Sequence, residues 1–205
     1  MLSAYAAAVG ALLLLTLVPG PDVAVVTRFA LGSGRAAGAR AAAGVVAGLA
    51  VWGTLTVVGL AAVLAASTTA YTVVKIVGAV FLVAMGVRML WRSRGSGASP
   101  ADAAPVETGH PGRSGLLTNV LNPKIAVFYT CLLPSLVPAG GSPRVWLPLL
   151  VLTHAGLSLA WLVGYAAVVS RARSALGRPG VRAVLDRVTG GVLVAFGVKV
   201  GAEAR

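Results

Sequence analysis

Cysteine and acidic side chains are scarce in this sequence. Cys131 is the single cysteine, so neither an intramolecular disulfide nor a C-x-x-C redox pair can form. A membrane thiol-redox carrier is therefore set aside, and Cys131 reads as a small apolar packing residue. Asp and Glu together number five in 205 residues, beside two histidines. A metal-ion exporter would need several Cys, His or acidic ligands converging in its spans. Within the apolar runs only Asp22, Cys131 and His154 are on offer. No metal, no cofactor and no enzymatic activity are expected. Charged residues of both signs make up 11% of the chain, against about 25% in a soluble domain.

Hydrophobic residues fill that space, at 58%. Several apolar runs exceed the roughly 20 residues that cross a bilayer. The expected fold is all-α: one polytopic membrane domain over residues 1–205 with six transmembrane helices. The first run carries no basic n-region and continues well past a signal peptide's apolar core, so it reads as a retained span. The spans fall near Ala4–Val26, Ala41–Ala66, Tyr71–Leu90, Gly115–Val137, Val145–Ser170 and Val188–Ala202. Trp91 to Ser114 is rich in Gly, Ser, Pro and Ala without apolar periodicity, and reads as a flexible linker, about 92–114.

A net charge of +12 could suggest nucleic acid, but the basic residues sit in short loops between spans. Arg28, Arg35 and Arg40 occupy the first loop, with Gly32, Gly34 and Gly38; Arg92, Arg94 and Arg113 occupy the third. Arg171, Arg173, Arg178, Arg182 and Arg187 crowd the fifth, while the second has no Arg and the fourth only Arg144. That alternation is the positive-inside pattern, with odd loops cytoplasmic and both termini outside. Nucleic-acid binding is excluded on this ground, and the lipid bilayer is the expected partner. Tyr5, Tyr71, Trp91 and Trp146 fall near span ends, as interfacial aromatics or as ordinary packing.

The chain also matches itself. Val77–Arg88 aligns with Val188–Lys199 at an offset of 111, with six of twelve positions identical. Leu14–Val25 aligns with Leu116–Val127 at an offset of 102, with seven of twelve identical and Pro21 on Pro123. Two three-span halves, about 1–91 and 115–205, must lie inverted relative to each other because three is odd. Inverted repeats with interrupted helices are a transporter signature, with the site near the midplane between the halves.

The interruptions are legible. Pro19-Gly20-Pro21 breaks the first span and Asn122-Pro123 the fourth, since proline lacks an N–H and clashes with the preceding turn. The alignment sets Asp22 opposite Lys124, each inward of the Arg clusters. Either charge alone is expensive at membrane depth; facing each other they could neutralise one another or a zwitterionic substrate. A structural salt bridge between the halves, or snorkelling of Lys124, is the alternative. Asn119 and Asn122 are polar within span 4, with a structural or ligand-binding role. His154 is the only histidine in a span, a proton relay or a hydrogen-bonded packing residue. Trp161 and Tyr165 share a face of span 5 and could line a cavity or face lipid. Lys75 and Lys199 lie near span ends and read as snorkelling residues. The Gly-x-x-x-Gly pairs Gly44/Gly48 and Gly197/Gly201 read as internal helix contacts more than as a dimer face, and a homodimer stays open.

These residues resemble a known family. Val18-Pro-Gly-Pro-Asp22, followed by Leu31-Gly-Ser-Gly-Arg35 with Gly38, Gly44 and Gly48, is similar to the N-terminal signature of the LysE/RhtB amino-acid exporters. Gly78, Leu82, Gly86 and Arg88 fit that family's third helix. Gly115-Leu-Leu-Thr-Asn-Val-Leu-Asn-Pro-Lys124, with Leu133-Pro134 following, resembles its fourth-helix signature. The resemblance implies an exporter of amino acids or small relatives in the inner (plasma) membrane of a bacterium, driven by the proton gradient. It implies that Pro19, Gly20, Pro21 and Asp22 form one half-helix break, and Asn122, Pro123 and Lys124 the other. The substrate does not follow from these motifs. A metal-ion exporter of related architecture and a non-transporting membrane scaffold are the alternatives.

Overall fold

Proline and glycine decide where the helices begin and end. The computed structural model describes residues 2–66 and 109–171, together with isolated positions between 69 and 91 and between 187 and 202; the side chains of 60–66 are not part of that description. Among the described residues the elements are all helical: α1 (Leu2–Leu17), α2 (Pro21–Ser33), α3 (Arg35–Ala66), α4 (Pro111–Val120), α5 (Pro123–Ser135) and α6 (Pro143–Arg171). Spans 3 and 6, their mutual alignment, Lys75 and Lys199 lie largely or wholly outside the described residues.

Pro21 and Pro123 each occupy the first turn of a new helix, where a missing N–H costs nothing. The residue before each is extended: Gly20 at φ −158°, ψ −165° and Asn122 at φ −78°, ψ 108°. α1 and α2 consequently meet at 52°, and α4 and α5 at 50°. The offset of 102 that aligns the two segments thus pairs two bends of nearly the same angle, with proline at the same register.

Two expectations need correction. Arg28 to Arg40 do not form a loop: Arg28 lies in α2, Arg35 opens α3, and Gly34 alone joins them. Gly34 takes φ +83°, a left-handed turn that a side chain would oppose, and its carbonyl accepts from the N–H groups of Ala37 and Gly38 at 3.1 Å. Alanine and arginine are strong helix formers, so the segment becomes helix once one glycine reverses the chain. The other correction concerns the linker, whose last residues are helical: α4 starts at Pro111, four positions before the expected Gly115. α3 and α6, by contrast, end within two residues of expectation at Ala66 and Arg171.

α3 and α4 pack backbone against backbone. A Cβ on Gly44 would run into the carbonyl of Gly112, and one on Gly115 into that of Ala41. A Cβ on Gly48 would lie 2.6 Å from Asn119 Oδ1. The Gly44/Gly48 pair is therefore an internal contact of the small-residue kind that membrane helices use.

α5 contains a π-turn over Phe128–Leu132. Pro134 has no N–H for the Thr130 carbonyl and its ring crowds that turn, so the widened geometry sits where the proline demands it. The Thr56 hydroxyl of α3 donates to the Tyr129 carbonyl there at 3.1 Å.

Two apolar cores result. One joins Leu12 and Leu15 of α1 to Phe128, Leu132 and Leu133 of α5 and Leu147 and Leu150 of α6. The other joins Val26 and Phe29 of α2 to Ala41 and Val45 of α3 and Leu162 and Ala166 of α6. Cys131 is buried beside the first, and Tyr5 packs on Trp146 with ring centroids 6.2 Å apart. Large apolar side chains also point outward: Leu152 is 71% exposed and Val58 68%. On helices this apolar, those faces suit lipid rather than water.

Candidate functional site

Each break leaves backbone groups without helical partners, and the two breaks supply them to each other. The chain turns out of α1 at Val18, and Pro19 and Pro21 beyond it have no N–H to continue the helix. Lys124, one residue into α5, sends its Nζ to the Val18 carbonyl at 3.2 Å. Lys124 is poorly placed on its own helix, because the N-terminal end carries partial positive charge. At the C-terminal end of α1 the same ammonium meets partial negative charge. Gly20 makes room for it: a Cβ there would stand 3.2 Å from Nζ. Backbone freedom is not the reason for this glycine, since its extended conformation is open to any residue.

Asp22 has the opposite fit. It lies in the first turn of α2, where the helix dipole favours a carboxylate. Its Oδ2 accepts from Asn119 Nδ2 and from Asn122 Nδ2, both at 3.1 Å. Asn122 is used twice, because its Oδ1 caps α5 by accepting from the Lys124 N–H at 3.0 Å. Asp22 is 8% exposed and Lys124 4%, while Asn119 and Asn122 are buried. Asp22 and Lys124 do not make a direct ion pair; each charge is held by polar groups of the opposite break. Two buried acceptors, Asp22 Oδ1 and Asn119 Oδ1, have no hydrogen-bond partner.

Asp22 and Lys124 border a cavity where the two cores meet. Its wall includes Leu15 and Leu49 from the first core and Val45 and Leu162 from the second, with Asp22, Lys124, Thr16, His154 and Ser158 as its polar members. The space for water centres is about 20 Å³, enough for a water or two and too small for an amino acid. His154 is fully buried at this wall, and its Nδ1 lies 3.0 Å from the Tyr129 hydroxyl.

The residues singled out from sequence thus separate into two places. Pro19, Gly20, Pro21, Asp22, Asn119, Asn122, Pro123 and Lys124 form the two breaks and their bridge, and His154 adjoins them. Trp161 and Tyr165 do not border the cavity. They stack on each other with centroids 6.0 Å apart and pack on the second core, and Thr27 of α2 donates to the Tyr165 hydroxyl at 3.1 Å. They share the helical face of His154 but lie roughly 10 and 16 Å further along the axis. Ser158, Thr16 and Tyr129 were not anticipated. Ser158 follows His154 by four residues on the same face, a signal that could have been read; nothing in the sequence links Tyr129 to His154. Among the described residues no group of three or more His, Cys, Asp or Glu could hold a metal ion.

Arg35–Gly59 and Pro143–Arg171 are long and apolar enough to cross a membrane, and each bent pair qualifies when taken as one span. The described fold is that of an integral membrane protein built around interrupted helices. The chain belongs to the LysE-type translocator family, whose match covers residues 13–204. It is 27% identical to the uncharacterized membrane protein YrhP of Bacillus subtilis (strain 168) over 92% of this chain and 93% of that one. It is 26% identical to the threonine efflux protein of Escherichia coli (strain K12), covering 88% of each. The leucine efflux protein of Enterobacter sp. (strain 638) is 33% identical over 117 residues, 56% of this chain and 54% of that one. No solved structure matches the chain.

Proposed function

We propose that this protein exports amino acids from the cytoplasm across the inner membrane of a bacterium, by proton antiport, through the gap between its two helix breaks. The observation that carries the reading is the pair Asp22 and Lys124 at one cavity, each held by the opposite break: Asp22 by Asn119 and Asn122, Lys124 by the Val18 carbonyl. The threonine and leucine efflux relatives favour an amino-acid substrate. Six spans in two inverted three-helix repeats, with residues 92–114 as a cytoplasmic linker and both termini outside, is the architecture that accompanies it. The equal bends at Pro21 and Pro123 support the repeat.

The site carries one negative and one positive charge, so a zwitterion adds no net charge to a dry cavity. The substrate ammonium donates to Asp22 Oδ1, the acceptor at the cavity wall that lacks a partner. An unsatisfied buried acceptor costs about 1–3 kcal/mol, and a bound ammonium removes that cost. The carboxylate goes to Lys124, whose Nζ exchanges Val18 O for it. The described conformation leaves no room for an amino acid in the cavity. Parting the breaks would open it to either side, as alternating access requires.

The test is transport into everted membrane vesicles, with labelled threonine, leucine and a wider amino-acid panel. Asp22→Asn and Lys124→Ala should each lower the initial rate at least about 100-fold, in line with the roughly 3–5 kcal/mol lost when one partner of a buried charge pair is removed. Wild-type rates from both variants at normal protein levels would sink the site assignment.

A further inference from the structure

Nothing in the bridge itself explains the placement of His154. We propose that His154 is the residue that carries the coupling proton, and that it competes with the substrate ammonium for the single carboxylate of the cavity. The proposal rests on the export reading and assigns the ion's site within it.

The geometry supports a proton carrier rather than a packing histidine. The ring sits at the wall of the cavity that also exposes Asp22 and Lys124. Its Nδ1 is held by the Tyr129 hydroxyl at 3.0 Å, and the Phe128 ring lies 5.5 Å away, so the imidazole is fixed in position and orientation. A hydroxyl can donate to an imidazole nitrogen or accept from one, so this bond survives in both protonation states. With the Nδ1–H on Tyr129, the second proton enters and leaves at Nε2, and only that N–H bond forms and breaks. Tyr129 is anchored in turn: it belongs to the π-turn, and its carbonyl accepts from Thr56. π-turns of this kind are frequent at functional positions.

The charge count then gives the coupling. The titratable and charged groups around His154 among the described residues are Asp22 on α2 and Lys124 and Tyr129 on α5; α1 and α3 bring Leu15, Thr16, Val45 and Leu49 to the same wall. With neutral His154 the cavity has no net charge, and a zwitterionic amino acid leaves it so. A protonated His154 makes it +1, and the imidazolium then needs Asp22, the group the ammonium would use. Proton and substrate therefore exclude each other. One proton taken up from outside and released to the cytoplasm alternates with one amino acid carried outward.

Purified full-length protein in proteoliposomes separates the two functions. An imposed pH gradient should drive labelled threonine, leucine or another panel member uphill, and without a gradient the same protein should exchange labelled for unlabelled amino acid. His154→Gln is expected to lose at least tenfold of gradient-driven accumulation while still exchanging. Tyr129→Phe should lower the pH midpoint of driven transport by about one unit or less, because the hydroxyl bonds the imidazolium more strongly than the neutral ring. Full gradient drive in His154→Gln overturns the proposal. So does a parallel loss of exchange and drive, which marks a structural or substrate-binding histidine, and so does an unchanged midpoint in Tyr129→Phe. Wild-type protein that exchanges no amino acid sinks the export reading, and this proposal with it.

Discussion

The break between α1 and α2 and the break between α4 and α5 bend by nearly the same angle and differ in almost everything else. The first has Gly20 at the cap position, with no side chain to satisfy a helix N–H. The second has Asn122 there, capping α5 and also reaching Asp22. The first carries a charge that suits its own helix, and the second a charge that suits the other half's helix end. An equal backbone bend therefore does not make an equal site. Proline and chain geometry produce the symmetry. The side chains make the breaks complementary, so that each is incomplete without the other.

Among substitutions that leave both charges in place, those at the second break should cost more than those at the first. Asn122→Ala removes both a helix cap and a hydrogen bond to a carboxylate. Together these are worth roughly 2–3 kcal/mol, so the transport rate should fall about 30- to 150-fold in the vesicle assay. A loss under threefold would mean that Asn119 alone holds Asp22. Gly20→Ala tests the first break. Its Cβ would stand 3.2 Å from Lys124 Nζ, a contact that a flexible side chain relieves by shifting. Transport should drop about tenfold, the equivalent of 1.4 kcal/mol, while the melting temperature of detergent-purified protein stays within about 2 °C. A variant that loses stability and activity together would make Gly20 a packing residue instead. Tyr165→Phe is the mildest change. It removes one part-buried neutral hydrogen bond to Thr27, worth about 1 kcal/mol or less, and should alter transport less than about fivefold. A larger loss would bring the α6 aromatics into the site itself.

Some of this architecture is legible along the chain and some is not. The two interruptions are, because proline acts locally: Pro21 and Pro123 can only start helices where they stand. The ends of α3 and α6 are nearly so, because long apolar runs have few other resolutions. The first loop misleads, since three arginines and three glycines look like a connector. One glycine is enough to turn the chain, and the alanines between the arginines favour helix. The linker boundary misleads in a smaller way, because Pro111 can open a helix well before the first apolar residue.

The bridge lies between these extremes. The self-alignment sets Asp22 opposite Lys124, where each could neutralise the other or a substrate, with a structural salt bridge or snorkelling as the alternative. The observed arrangement hands Asp22 to two asparagine amides and Lys124 to a backbone carbonyl. A carbonyl is anonymous in sequence, and Asn119 acquires its role only because Gly44, Gly48 and Gly115 let α3 and α4 approach closely enough to place it.

By itself the sequence determined an apolar, helical membrane chain, the positions of its two breaks and the opposite charges beside them. Those are consequences of composition, of proline's missing N–H and of the cost of charge at membrane depth, all of which act over a few residues. Only the tertiary structure decided which polar group satisfies which, that His154 meets Tyr129 rather than a carboxylate, and that Trp161 and Tyr165 pack away from the cavity. Those pairings join residues 25 to 138 positions apart. They depend on how the helices pack against one another, which no local rule along the chain fixes.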